Sequence, residues 1–225
     1  MSRFKPLSAR LTALSWLAAL AATFGLAATA AAQPAAPLEV VAFGDSLSAG
    51  YGVGPGESFP EQLQAALVAK GYAATVVNAG VSGDTTTGGL ARLDWSVPDS
   101  ADLVIVELGA NDALRGVSPE ISETNLDAIL QRLQQRKIPT LLAGMIAPPN
   151  MGPDYAAAFN PIYARLAERY GVPLYPFFLD GVAGIADLNQ ADAMHPNPKG
   201  VALVVEKILP AVTAQLDAIA AASAD

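Results

Sequence analysis

The sequence contains no cysteine. That excludes disulfides, thiolate metal ligands and a lipid-modified N-terminal cysteine together. Histidine occurs once, as His195, so a zinc ion would have to rely on carboxylates, a poor donor set for a catalytic site. No metal is expected. Charge is scarce, at 15% of residues, and basic charge scarcest, with 13 Lys and Arg against 21 Asp and Glu. A formal net charge of -8 makes nucleic acid and anionic membrane surfaces poor partners. Two familiar glycine patterns are also missing. "AGYGVGPGE" (Ala49 to Glu57) fits neither G-x-G-x-x-G nor a Walker sequence, which argues against a bound nucleotide. "GDSLS" (Gly44 to Ser48) lacks the last glycine of G-x-S-x-G, which argues against an α/β-hydrolase nucleophile elbow.

Apolar residues, by contrast, make up 52% of the chain, enough for a well-buried core. Part of that content sits at the N-terminus. Arg3, Lys5 and Arg10 precede an apolar run, small residues around Ala30 to Ala32, and a Pro-rich exit, which is the anatomy of a secretory signal over residues 1–32. The alternative is an uncleaved membrane anchor, since Leu11 to Ala32 approaches the roughly 20 residues needed to span hydrocarbon. Cleavage after Ala32 would leave 10 basic and 21 acidic side chains, a formal net charge of -11. The expectation is a periplasmic or secreted protein without stable membrane insertion, its residues 33–225 forming a single monomeric domain.

Short apolar runs alternate with amphipathic segments along those residues. "LEVVAF", "ATVVNA", "DLVIVELG", "TLLAGMIA" and "VPLYPF" read as strands. The runs in the middle show little period-two alternation, as expected for a parallel sheet covered on both faces. Ser118 and Pro119 look like an N-cap and a first helical residue, while Gly71 and Gly171 end helical runs. Five strands with helices between them predict a doubly wound, three-layer α/β/α sandwich with a five-stranded parallel sheet.

In such sheets ligands bind beyond the carboxyl ends of the strands. Four polar clusters fall there: "GDSLS", "NAGVSGDT" (Asn78 to Thr85), "GAND" (Gly109 to Asp112) and "DAMHP" (Asp192 to Pro196). Together they contain the parts of an acyl-transfer site. Ser46 is the candidate nucleophile and His195 the candidate general base, with Asp192 one turn away to orient the imidazole. The backbone N–H groups of Ser46 and Gly83 and the side-chain amide of Asn111 are candidate oxyanion donors. Each cluster taken alone has a plainer reading as a turn or helix cap, because Gly, Asn, Asp and Ser favour both for local reasons.

The ordered set of Ser46, Gly83, Asn111 and His195 resembles the four blocks of the SGNH, or GDSL, hydrolases. Within that family, "GDSLSAGYG", "VVNAGVSGDTT", "VELGANDALRG" and "PLYPFFL" are similar to a bacterial periplasmic branch of arylesterases, acyl-CoA thioesterases and lysophospholipases. The resemblance implies a flavodoxin-like sandwich, a triad of Ser46, Asp192 and His195, an oxyanion hole of Ser46, Gly83 and Asn111, and no cofactor. The expected substrate is a small ester or thioester. Met151 and Tyr155, in the loop after the fourth strand, are candidates for the wall of an acyl groove. A non-catalytic binding module on the same fold and a sugar O-acetyl esterase are the alternatives.

Overall fold

The computed structural model describes residues 1–2 and 37–223. Apart from Met1 and Ser2, the leader expected over residues 1–32 lies outside the described residues. Among those residues no helix is long and apolar enough to cross a membrane.

Within the described residues, five strands, β1 (Leu38–Gly44), β2 (Ala74–Asn78), β3 (Leu103–Glu107), β4 (Thr140–Ala143) and β5 (Leu174–Tyr175), form one parallel sheet in the order β2-β1-β3-β4-β5. The central strands are apolar throughout because both faces are covered. Every residue of β3 and β4 is buried, as are Val40 to Gly44 of β1. The edge strand β2 is buried only at alternate positions over its first three residues. At the other edge, "VPLYPF" yields only two strand residues. Pro173 and Pro176 bracket them, and proline cannot donate to a sheet ladder.

Among the described residues, eight α-helices connect and cover the strands: α1 (Ser46–Ala49), α2 (Phe59–Ala69), α3 (Thr86–Ser96), α4 (Ala110–Arg115), α5 (Pro119–Gln135), α6 (Pro153–Phe159), α7 (Ile162–Tyr170) and α8 (Pro198–Ala222). Helices α2 and α8 pack together, while α5 packs against both α3 and α7, giving helices on both sides of the sheet. Their buried positions follow the helical period. In α8 these include Val201, Val204, Val205, Ile208, Val212 and Leu216; in α5 they are Ser122, Leu126, Ile129, Leu130 and Leu133. Gly71 and Gly171 do follow helices in left-handed conformation, at φ 89° and 62°. Ser118 does precede α5, but its hydroxyl bonds the Glu120 carboxylate and caps no backbone N–H.

The strand order reverses its direction of winding at β1, whose neighbours are β2 and β3. A doubly wound sheet opens a crevice at that point, outside the carboxyl ends of the strands.

Candidate active site

Three strands deliver their following loops to this crevice. Strand β1 ends at Gly44, Asp45 caps α1, and Ser46 is the first residue of that short helix. Beyond β2, Gly83 takes φ 86°, a conformation that side chains disfavour. Beyond β3, Gly109 turns the chain at φ 117° into α4, which carries Asn111. The fourth segment arrives from the loop before α8, where Asn197 caps the helix by accepting hydrogen bonds from the N–H groups of Lys199 and Gly200.

In that loop Asp192 and His195 are held by a tight turn, with Ala193 at φ 56°. Asp192 Oδ1 accepts from the N–H groups of Met194 (2.9 Å) and His195 (3.0 Å). Its other oxygen lies 2.7 Å from His195 Nδ1. Hydrogen bonds from the His195 backbone, the His195 ring and the Met194 backbone hold the Asp192 carboxyl down at about 2. On the far side of the ring, His195 Nε2 lies 2.9 Å from Ser46 Oγ. Carboxylate, imidazole and hydroxyl therefore stand in series, the arrangement that can take a proton from a serine as it attacks a carbonyl.

No described residue accepts a hydrogen bond from the N–H of Ser46 or of Gly83. The Gly83 carbonyl is held by the Arg115 guanidinium at 2.8 Å. The Asn111 amide lines the same crevice and donates to Asp45 Oδ2 at 3.0 Å. Beneath the serine lies a buried polar layer that the sequence reading did not identify. Asp45 accepts from Leu47 N–H with its other oxygen, and its own N–H donates to Glu107 Oε2 at 3.2 Å. The same Glu107 oxygen accepts from Ser48 Oγ at 2.8 Å. Burial pushes Asp45 up to about 6 and Glu107 well above the usual carboxylate range. A Cβ at Gly44 would lie 2.7 Å from the Glu107 backbone oxygen, so the close approach of β1 to β3 here requires glycine.

The crevice opens into a cavity of about 770 Å³. Leu47, Leu114, Met145, Ile146 and Phe177 contribute much of its wall, with Ser46, Asn111 and His195 among the few polar groups. Tyr51 lies against the imidazole, its ring centroid 4.6 Å away. Neither Met151 nor Tyr155 lines this cavity. The chain turns at Pro149–Met151 and enters α6, which carries Tyr155 back against α4 and α5: its hydroxyl donates to Val117 O at 2.8 Å and its ring stacks on Phe159. Residues Met145 to Pro149, closer to the end of β4, line the cavity instead.

A parallel sheet with serine, imidazole and carboxylate in series at its carboxyl edge defines the class of α/β serine hydrolases. The chain belongs to the GDSL-like Lipase/Acylhydrolase family, whose profile matches residues 42–203. It is 39% identical over 179 residues to an arylesterase of Vibrio mimicus, covering 79% of this chain and 88% of that one. It is 40% identical over 166 residues to the "Thioesterase 1/protease 1/lysophospholipase L1" of Escherichia coli K12, covering 73% and 78%. Among solved structures, the SGNH-hydrolase family esterase AlinE4 matches with TM-score 0.69 and 50% identity, covering 82% of this chain and 99% of that one. The enzyme is thus an ester hydrolase built on the sandwich its sequence resembles.

Proposed function

We propose that Ser46 is the nucleophile of this esterase, His195 its general base and acid, and Asp192 the group that orients the imidazole. The observation that carries this reading is the unbroken contact from Ser46 Oγ through both ring nitrogens to Asp192, at 2.9 and 2.7 Å. Ser46 Oγ attacks the carbonyl carbon as its proton passes to His195 Nε2. The carbonyl oxygen becomes an oxyanion facing the N–H groups of Ser46 and Gly83 and the Asn111 amide. Collapse of this intermediate expels the alcohol, which leaves with the proton from His195. Water then attacks the acyl-enzyme by the same route, restoring the serine.

The substrate class we favour is an aryl or alkyl ester of a short fatty acid, with thioesters and lysophospholipids as secondary substrates. The apolar wall of Leu47, Met145, Ile146 and Phe177 suits an acyl chain better than a sugar, which would require polar partners. We further propose export: residues 1–32 have the order of basic start, apolar middle and small-residue end that a signal peptidase recognises.

Hydrolysis of p-nitrophenyl esters tests the assignment. Ser46→Ala should lower kcat by at least about 10³-fold with unchanged thermal unfolding. Wild-type activity in that variant would refute the nucleophile. Across esters of increasing acyl length, kcat/KM should peak and then fall as the chain outgrows the cavity; a flat profile would contradict an acyl groove.

A further inference from the structure

We propose that Asp45 is a positioning residue, whose ionised carboxylate fixes the Asn111 amide with its N–H groups toward the reacting carbonyl oxygen. The inference rests on the reading of Asn111 as an oxyanion donor and adds what makes it one. An asparagine side chain presents a donor on one side and an acceptor on the other, and rotation of its amide plane exchanges them. With the amide reversed, Asn111 would offer an oxygen to the developing oxyanion. Something has to choose between the two.

Among the described residues, Asp45 is the only hydrogen-bond partner of the Asn111 side chain, at 3.0 Å from Nδ2. An ionised carboxylate can only accept, so the Asn111 atom facing it has to be the nitrogen. One amide hydrogen is then taken by Asp45, and the second remains for a ligand in the cavity that Asn111 lines. A protonated or amidated group at position 45 would instead carry a donor of its own. Asn111 could then meet it through Oδ1 and turn its nitrogen away.

The carboxylate is itself tightly held. It is fully buried, its second oxygen accepts from Leu47 N–H at 3.0 Å, and its backbone N–H is anchored on Glu107. The charged and titratable groups around it come from several elements: Glu107 at the end of β3, His195 before α8, Asp84 before α3 and Tyr163 of α7. Asp84 is in turn paired with Arg92 of α3. Burial keeps a proton on Asp45 up to about 6, so its ionisation is completed only as neutral pH is approached.

A double-mutant cycle read by kcat on a p-nitrophenyl ester tests this. Asp45→Asn and Asp45→Ser are each made in the wild-type and in the Asn111→Ala background. In the wild-type background each should lower kcat by about 10- to 100-fold with little change in KM; in the Asn111→Ala background neither should lower it further. Equal losses in both backgrounds, or no loss in either, would overturn the proposal. Should the asparagine variant fail to fold, the serine variant retains an oxygen for Leu47 N–H and carries the cycle.

A second arm uses only the wild type and Asn111→Ala. The acid limb of the wild-type kcat profile should contain a transition near pH 6 that Asn111→Ala lacks; identical limbs would contradict the role assigned to Asp45. An Asn111→Ala enzyme with wild-type kcat, alongside an inactive Ser46→Ala, would show a different fault, removing the oxyanion reading on which the inference stands.

Discussion

His195 and Ser46 are 149 positions apart in sequence and 2.9 Å apart in the fold. The imidazole is held from the other side by Asp192, whose carboxylate also accepts two backbone N–H groups of the same turn. Asp192→Asn removes the negative charge and the preferred tautomer while keeping the shape. It should lower kcat by about 10²- to 10⁴-fold in a protein that still folds, a loss read by kinetics beside urea denaturation. Arg92 acts in a different way. Its guanidinium binds Asp84 at 2.5 Å, Ala79 O and Gly44 O at 2.8 Å each, and covers the Phe43 ring at 4.4 Å. One buried side chain thus ties the end of β1 to the loop that carries Gly83. Arg92→Ala leaves Asp84 and two carbonyls without this partner and should destabilise the protein by about 3 kcal/mol in urea denaturation. Lysine should restore little, since a single ammonium cannot reproduce the planar fork.

Among the elements, α8 connects stability to the site most directly. Asn197 accepts from the first N–H groups of the helix through Oδ1, and its Nδ2 donates to Asp187 O at 2.9 Å in the loop leading to Asp192. Asn197→Ala should lower stability by about 1 kcal/mol, measured by urea denaturation, with a smaller effect on kcat than Asp192→Asn. The same elements explain which parts of the fold were legible in the sequence. Buried strands β3 and β4 announce themselves as unbroken apolar runs, and the clusters holding Ser46, Gly83, Asn111 and His195 stand directly beyond strands or before a helix. Position relative to an element was enough to find them. Tyr155 lies outside the cavity lining because its place depends on how α6 packs, and a loop sequence carries no record of that direction. Glu107 and Arg92 were missed for a related reason. On paper Glu107 ends an apolar strand and Arg92 lies within an amphipathic helix; only assembly of β1, β3 and α3 buries both.

For the whole molecule, two carboxyl groups give opposite dependences of stability on pH. Burial raises Asp45 from 3.8 to about 6, while hydrogen bonding lowers Asp192 from 3.8 to about 2. Between about pH 4 and 6 the unfolded chain gives up the Asp45 proton and the native state retains it. The Asp45 contribution to stability is fully present below pH 4, is lost as pH rises through about 6, and amounts to at most about 3 kcal/mol. Asp192 contributes in the other sense: its stabilisation is present above pH 4 and is lost as pH falls through about 2. Urea midpoints measured from pH 4 to 7 should therefore decline for the wild type and decline less for Asp45→Asn. Ionised Asp45 is then the form that orients Asn111 and also the form that folding disfavours, a cost to stability located at the site of function.

We propose that Ser46, activated by His195, forms a covalent bond to the acyl carbon. Treatment of the intact enzyme with a fluorophosphonate probe, followed by proteolysis and mass spectrometry, tests it most directly. One adduct per chain is expected, located on Ser46, with strongly slowed labelling in His195→Ala. Labelling at another residue, or an unlabelled but folded and esterase-active protein, would contradict it.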